Sequence, residues 1–231
     1  TRILGKSNLE VGVIGLGTEH LDLNRENVDA MLDMGVDLGM NYIDLLFNDL
    51  CMVKMENIDV YWDGLESGIN RHRDQLILCL HWGYLYEQPI ELCQQYFEKT
   101  LLRIKNRYAD IAMISIVDTK AMWENWASKA LEALNTHREK GDIGFVGLSN
   151  HNPEVALLAA ESGLIDVLMF PVNLYQHPLN QDRVKLLEAC RAYNIGVVAM
   201  KPFYGGILLN RDGVPTGITP VQCLDYVLSQ P

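Results

Sequence analysis

Short apolar runs alternate with longer helix-like segments along the whole chain, and this alternation constrains the fold more than any other feature. Each run suits one buried strand, and apolar residues recur at helical spacing in the segment that follows it. Strands that are apolar on both faces and joined by helices predict a parallel sheet with crossover helices. The seven runs are 11–16, 41–46, 75–81, 110–116, 143–148, 166–170 and 196–200.

Seven β/α units without a domain break favour a barrel over an open sheet. We therefore predict an α/β fold, a TIM (β/α)8 barrel, with residues 1–231 as a single domain. Capping signals support the helices, because Asn152-Pro153 and Thr219-Pro220 each pair a side-chain cap with a proline suited to the first helical turn. A closed barrel needs an eighth strand, and the sequence stops at Pro231 before one begins. We expect the natural protein to be longer and to supply the missing unit.

Composition excludes several classes of protein. A net charge of −11 argues against a nucleic-acid partner, which would require a basic surface. No apolar run is long enough to cross a bilayer, so no membrane association is expected. The five cysteines are Cys51, Cys79, Cys93, Cys190 and Cys223. They are scattered and odd in number, which argues against disulfides or a zinc motif and favours a reduced, cytoplasmic protein. Cys79, Cys93 and Cys190 are predicted to be small core residues.

Six segments, in this order and at barrel spacing, resemble the aldo-keto reductase family over nearly the whole chain. They are 4–11, 14–18, 39–44, 108–111, 140–150 and 199–203. The resemblance implies a barrel that reduces the carbonyl group of a small-molecule substrate with a hydride from NADPH. Within the family, the turn 44–47, the strand end 81–83 and the loop 200–202 resemble a bacterial subgroup. Members of that subgroup often continue into a ferredoxin-like tail that holds iron–sulfur clusters.

The residues that carry catalysis in this family are largely replaced. The resemblance implies an aspartate, a tyrosine, a lysine and a histidine, in which a nearby cation tunes the tyrosine as proton donor. Asp44 matches the aspartate, whereas Asp49, His81 and Ser115 stand where the tyrosine, lysine and histidine are expected. His81 could pair with Asp44 as a general acid or base, or could simply bond a backbone carbonyl. Ser115 could bind a substrate oxygen or merely fill space.

An insertion at 48–60 offers a second candidate for the proton donor. It brings Tyr61 close behind the second strand, where it could replace the family tyrosine, or could pack with Trp62 at the start of a surface helix. A carboxylate at Asp49 is ionised near neutral pH and is a poor acid. We therefore expect simple aldehydes to be reduced very slowly, with Asp44, His81, Ser115 and Tyr61 as the candidate catalytic residues.

Cofactor contacts are only partly retained. Ser149 and Asn150 match the positions that hold the nicotinamide amide, and Lys201 could contact a phosphate or be an ordinary surface lysine. Met169 replaces a glutamine that also holds the amide in the family. The family binds the adenosine phosphate after the eighth strand. We therefore expect weak or absent NADPH binding by this chain.

Two further interpretations remain open at this point. One is a pseudoenzyme that binds a nucleotide or metabolite without turnover, and the other is a hydrolase or lyase built on Asp44 and His81. His20, Asp44, His81 and His151 all end or follow strands and could converge on a zinc ion. Because histidines scatter in this way by chance, we predict no metal site.

Overall fold

A parallel sheet whose strands follow chain order forms the centre of the molecule. The computed structural model describes residues 1–19, 21, 25–46, 58–82, 89–176, 178 and 180–230, without the side chains of 25 and 58–61. Every neighbouring pair in the sheet is parallel, as predicted. The seven strands are β3 (Leu16–Gly17), β4 (Tyr42–Leu45), β5 (Ile77–Trp82), β6 (Ala109–Ile114), β7 (Ile143–Ser149), β8 (Val167–Pro171) and β9 (Gly196–Met200).

Helices follow the strands, and all but the last of them lie in the crossovers between one strand of the sheet and the next. They are α1 (Arg25–Asp37), α2 (Ile58–Arg71), α3 (Ile90–Arg103), α4 (Lys120–Met122), which continues through a π turn (Trp123–Ala127) into α5 (Ser128–Lys140), then α6 (Pro153–Glu161), α7 (Gln181–Ala192) and α8 (Pro220–Leu228). The predicted caps are confirmed, because the Asn152 side chain accepts from the Glu154 amide and Thr219 forms a capping box with Gln222. None of the described helices is long and apolar enough to span a bilayer.

Alternate residues on each strand separate two apolar clusters, as the two faces of a barrel wall require. The larger cluster lies between the sheet and the helices and includes Leu78, Leu80 and Trp82 of β5. The smaller cluster lies on the opposite face of the strands and includes Ile77 and Cys79 of the same strand. Its buried residues within the sheet come from β4, β5, β6 and β8, and partly buried side chains of β7 and β9 pack against them.

An N-terminal hairpin closes the floor of the barrel. Its strands are β1 (Arg2–Ile3) and β2 (Glu10–Val11), joined by a tight 3-10 turn, Gly5–Ser7. The Lys6 amide donates to the Asn194 carbonyl at 2.6 Å, just before β9. A second small hairpin, β10 (Asn210–Arg211) and β11 (Val214–Pro215), follows the sheet.

Six of the seven predicted strands match the structure to within two residues, but the first does not. The run 11–16 is not one strand, since β2 ends at Val11 and β3 begins at Leu16. Between them the chain crosses from the floor to the wall, and the Gly12 amide donates to the Asn41 side chain at 2.7 Å instead of to a neighbouring strand. Among the described residues, β3 and β9 are the two edges of the sheet.

Candidate active site

Six of the seven predicted site residues lie at one end of the barrel. In a parallel sheet all strands run the same way, so their carboxyl ends share one rim, which is where barrel active sites form. Asp44 and His81 lie in the carboxyl-terminal halves of β4 and β5, and Ser149 is the last residue of β7. Ser115, Asn150 and Lys201 directly follow β6, β7 and β9.

Asp44, His81 and Ser115 form a continuous hydrogen-bonded line across three neighbouring strands. His81 Nε2 lies 2.8 Å from Asp44 Oδ1, and His81 Nδ1 lies 2.6 Å from Ser115 Oγ. The three residues are 9%, 5% and 4% exposed, so the line is buried and Asp44 is its most exposed member. Because an ionised carboxylate can only accept hydrogen bonds, His81 Nε2–H donates to Asp44. In neutral His81, Nδ1 then accepts a hydrogen bond from the Ser115 hydroxyl.

Two further polar groups continue this line into the barrel. Cys79 pairs in register with Asp44 and lies on the same face of β5 as His81. Burial raises the pKa of the Cys79 thiol well above its usual value, and the nearby charge of Asp44 adds to the effect. Burial likewise raises the pKa of Tyr42, whose hydroxyl lies against Cys79. That hydroxyl makes no hydrogen bond of ordinary geometry with another described residue.

Cys79 is predicted from the sequence to be a small core residue. It lies in a strand with buried neighbours on both sides, and it is itself fully buried. The signal that could have singled it out is its spacing, because residues two apart on a strand share a face. Cys79 comes two residues before His81 on the same strand, so both side chains lie on the face that lines the inside of the barrel.

The other side of the mouth is formed by the end of β7. Asn150 is fully buried, and its side chain holds two loops: Nδ2 donates to the Val117 carbonyl, and Oδ1 accepts from the Asn152 amide at 2.6 Å. The Ser149 hydroxyl makes no hydrogen bond with any other described residue, and Ser149 lies in register with Met169 of β8. Ser149 is therefore the better placed of the two to receive a ligand.

Lys201 belongs to a separate charged row at the rim. Its ammonium lies 3.0 Å from His151 Nε2, and His151 Nδ1 lies 3.1 Å from Asp118 Oδ2. The hypothesised group of four metal ligands is not assembled, because His151 is engaged here and does not join Asp44 and His81. His20, its fourth member, lies outside the described residues.

The structure describes the two residues that could replace the family tyrosine to different extents. Asp49 lies outside the described residues. Tyr61 falls in the first turn of α2, but its side chain is not among those described. The neighbouring Trp62 is 1% exposed and belongs to the core between helices and sheet. Tyr61 as a proton donor therefore stays a prediction.

A family model for the Aldo/keto reductase family matches residues 8–220. The chain belongs to this family. It is 24% identical over 218 residues to the uncharacterized oxidoreductase YqkF of Bacillus subtilis (strain 168), a match that covers 91% of this chain and 67% of that protein. The family and this relative support an oxidoreductase and give no support to a hydrolase, a lyase or a pseudoenzyme.

Solved structures agree on the fold. The chain is similar to an aldo-keto reductase from Bacillus halodurans in its holo form, with a TM-score of 0.72, 22% identity, and coverage of 94% of this chain and 70% of that one. It is also similar to an aldo/keto reductase from Klebsiella pneumoniae in complex with NADP and acetate, with a TM-score of 0.68 and 21% identity. That match covers 91% of this chain and 71% of the other. The predicted TIM-barrel fold is thereby confirmed.

Proposed function

We propose that this aldo-keto reductase reduces the carbonyl group of a small molecule with NADPH at the carboxyl-terminal mouth of its barrel. The observation that carries the proposal is the line from Asp44 through His81 to Ser115, which joins three strand ends at the mouth. Family membership supports the reaction class, and a structural neighbour in complex with NADP supports the choice of cofactor.

The donor set at the mouth suits the nicotinamide end of such a cofactor. A carboxamide offers both a donor and an acceptor, and the unengaged Ser149 hydroxyl can serve either. The Asn150 amide group has a second hydrogen beyond the one that bonds Val117. Lys201 would supply positive charge for a phosphate, although its ammonium now contacts His151. When bound, the cofactor supplies the hydride, and this chain must supply the proton.

The geometry supports a proton relay from His81 through Ser115. With His81 protonated, Nδ1–H donates to Ser115 Oγ, which in turn can donate its own proton to a carbonyl oxygen as negative charge develops there. Ser115 then regains a proton from His81 Nδ1. His81 is left neutral, and its Nε2–H still donates a hydrogen bond to Asp44. Asp44 assists because a carboxylate at hydrogen-bond distance stabilises the imidazolium.

This relay is expected to be slow. A serine hydroxyl is a far weaker acid than a tyrosine tuned by a lysine, and weakening general acid catalysis typically costs ~10²–10⁴-fold in rate. Met169 adds an apolar contact where the family offers an amide, so nicotinamide positioning should also suffer. We therefore expect simple aldehydes to be reduced slowly.

The test is NADPH oxidation with a panel of aromatic and aliphatic aldehydes. His81→Ala should lower the wild-type rate by about 10-fold or more, since it removes the relay. His72→Ala is the matched control, because His72 precedes the same strand at its other end and bonds Asp33 at 2.6 Å. Its rate should equal that of wild type. Robust turnover that survives His81→Ala and disappears in Tyr61→Phe would show that the insertion carries the donor instead.

We further infer that the protein works in the reducing cytoplasm of a bacterium. The described cysteines are all free and buried, as a reduced compartment permits. Non-reducing mass spectrometry of the protein from its natural source should find no disulfide.

A further inference from the structure

A carboxylate, a thiol and an imidazole meet on the inner wall of the barrel. One oxygen of Asp44, the sulfur of Cys79 and one ring nitrogen of His81 all lie within 4.8 Å of one another. We propose that these three side chains bind a single divalent transition-metal ion, with Zn²⁺ the best match, and leave one coordination position open toward the mouth. This site lies beyond the carbonyl-reducing function proposed above.

The donor set selects the class of metal. Thiolate and imidazole ligands favour zinc and similar ions, whereas magnesium and calcium prefer oxygen ligands. Three protein ligands with a fourth position open to solvent is the arrangement typical of catalytic rather than structural zinc. Asp44 and His81 are 9% and 5% exposed, whereas Cys79 is fully buried, so the open position would face the mouth.

The ligand atoms are close enough for one ion. Zinc bonds of about 2.0–2.3 Å place tetrahedral ligand atoms about 3.3–3.8 Å apart. His81 Nε2 and Asp44 Oδ1 are now 2.8 Å apart, with the Nε2 proton between them in a hydrogen bond. An ion that replaced this proton would need these two atoms to separate by less than an ångström. The sulfur, now within 4.8 Å of a ligand atom of each residue, would need to lie at about 3.3–3.8 Å from both.

The positions of the ligands are rigid. Asp44 and Cys79 are paired directly across β4 and β5, and His81 follows two residues later on the same strand. Thr18 bonds the Asp44 carbonyl twice, through its amide at 3.0 Å and its hydroxyl at 2.9 Å. Ligands fixed on strands lose little conformational entropy when the ion binds, which favours affinity.

Neighbouring groups complete the site. Ser115 Oγ, 2.6 Å from His81 Nδ1, can accept Nδ1–H and so leave the Nε2 lone pair for the metal. The buried Tyr42 hydroxyl, which lacks a well-oriented partner among the described residues, lies against Cys79 and can donate to a thiolate. Burial opposes formation of that thiolate, but a bound cation reverses the balance by direct bonding.

Metal binding and the proton relay exclude each other. An ion on Nε2 prevents His81 from becoming an imidazolium, so a metal-loaded chain could not feed protons to Ser115. The metal site is therefore tested by binding alone, and its failure would leave the proposed reductase function untouched.

The experiment uses cobalt(II), because a cobalt–thiolate bond gives a charge-transfer band in the near ultraviolet. The chelator-treated chain is titrated with Co²⁺ and then with Zn²⁺, for wild type, Cys79→Ala, His81→Ala and Cys190→Ala. Cys190 is the matched control, since it is a cysteine of equal burial on α7, away from this cluster. Circular dichroism confirms the fold of each variant.

We expect wild type and Cys190→Ala to bind one cobalt ion with the thiolate band, which Zn²⁺ then abolishes. Cys79→Ala should lose the band, and His81→Ala should bind at least about 10-fold more weakly. Absence of the band from wild type, or its persistence in Cys79→Ala, would overturn the proposal. If Cys79→Ala does not fold, Asp44→Asn replaces it, and cobalt affinity equal to wild type in both Asp44→Asn and His81→Ala would overturn the proposal.

Discussion

Asp118, in the loop after β6, organises the contacts of His151 and Lys201 at the rim. Its carboxylate accepts from the His151 amide at 2.7 Å and lies 3.1 Å from His151 Nδ1, which in turn places His151 beside Lys201. Burial alone would raise the pKa of Asp118, but the hydrogen bonds from His151 outweigh it and hold the pKa below its usual value. The folded state therefore favours the ionised form more than the unfolded state does.

Asp118→Asn should lower the free energy of unfolding by about 1–2 kcal/mol near neutral pH, because it weakens charge-assisted hydrogen bonds. A depressed folded pKa contributes stability above the unfolded value, about 4, and this contribution is lost as the pH falls through the folded value. The gap between variant and wild type in urea unfolding should thus narrow as the pH falls below the unfolded value and close once it has passed the lower, folded value. Asp74→Asn, at an exposed ion pair with Lys105, is the control and should change little. A gap independent of pH would contradict this account of Asp118.

At the scale of elements, the hairpin floor depends on backbone that has no room for a side chain. Gly5 has a φ of +52°, and a Cβ built on it would lie 2.2 Å from the Gly196 nitrogen and 2.6 Å from the Asn194 oxygen. Two backbones therefore touch where the 3-10 turn of the hairpin meets the start of β9. Gly141, which ends α5 with a φ of +80°, offers a contrast, because a Cβ there would meet nothing within 4 Å.

Gly5→Ala and Gly141→Ala separate backbone strain from steric overlap. Both should lose about 1 kcal/mol for placing alanine at positive φ. Gly5→Ala should lose a further ~1–3 kcal/mol, because the hairpin must shift off β9. Thermal unfolding monitored by circular dichroism gives the comparison. Equal melting temperatures for the two variants would mean that the hairpin is not packed against β9 as described.

Most elements could be predicted because their signals are local. Apolar runs located six strands, and Asn152 and Thr219 located two helix starts. The first strand failed because β3 has only two residues, Leu16 and Gly17, and the apolar residues before it belong to a crossing segment. A strand this short is defined by its pairing with β4, which a sequence pattern does not contain.

At the scale of the whole molecule, the sequence could predict which side chains lie at the rim, but not which of them bond one another. Parallel strands bring Asp44 and His81 to one end whatever the details, and the family resemblance drew attention to both. Which groups bond one another depends on inter-strand register and on loops. The register aligns Asp44 with Cys79. The loops after β6 and β7 bring Asp118 and His151 together as an ion pair. Neither relation is local in sequence.

We propose above all that the nicotinamide end of the cofactor binds at the mouth beside His81. The most direct test is NMR of the chain labelled with ¹⁵N-histidine, titrated with NADP⁺ to concentrations high enough for weak binding. His81→Ala assigns the His81 ring signals by their loss, and His72 reports the opposite end of the barrel. We predict that the ring signals of His81 shift with saturation while those of His72 stay fixed. Saturable shifts at His72 with none at His81 would contradict the claim.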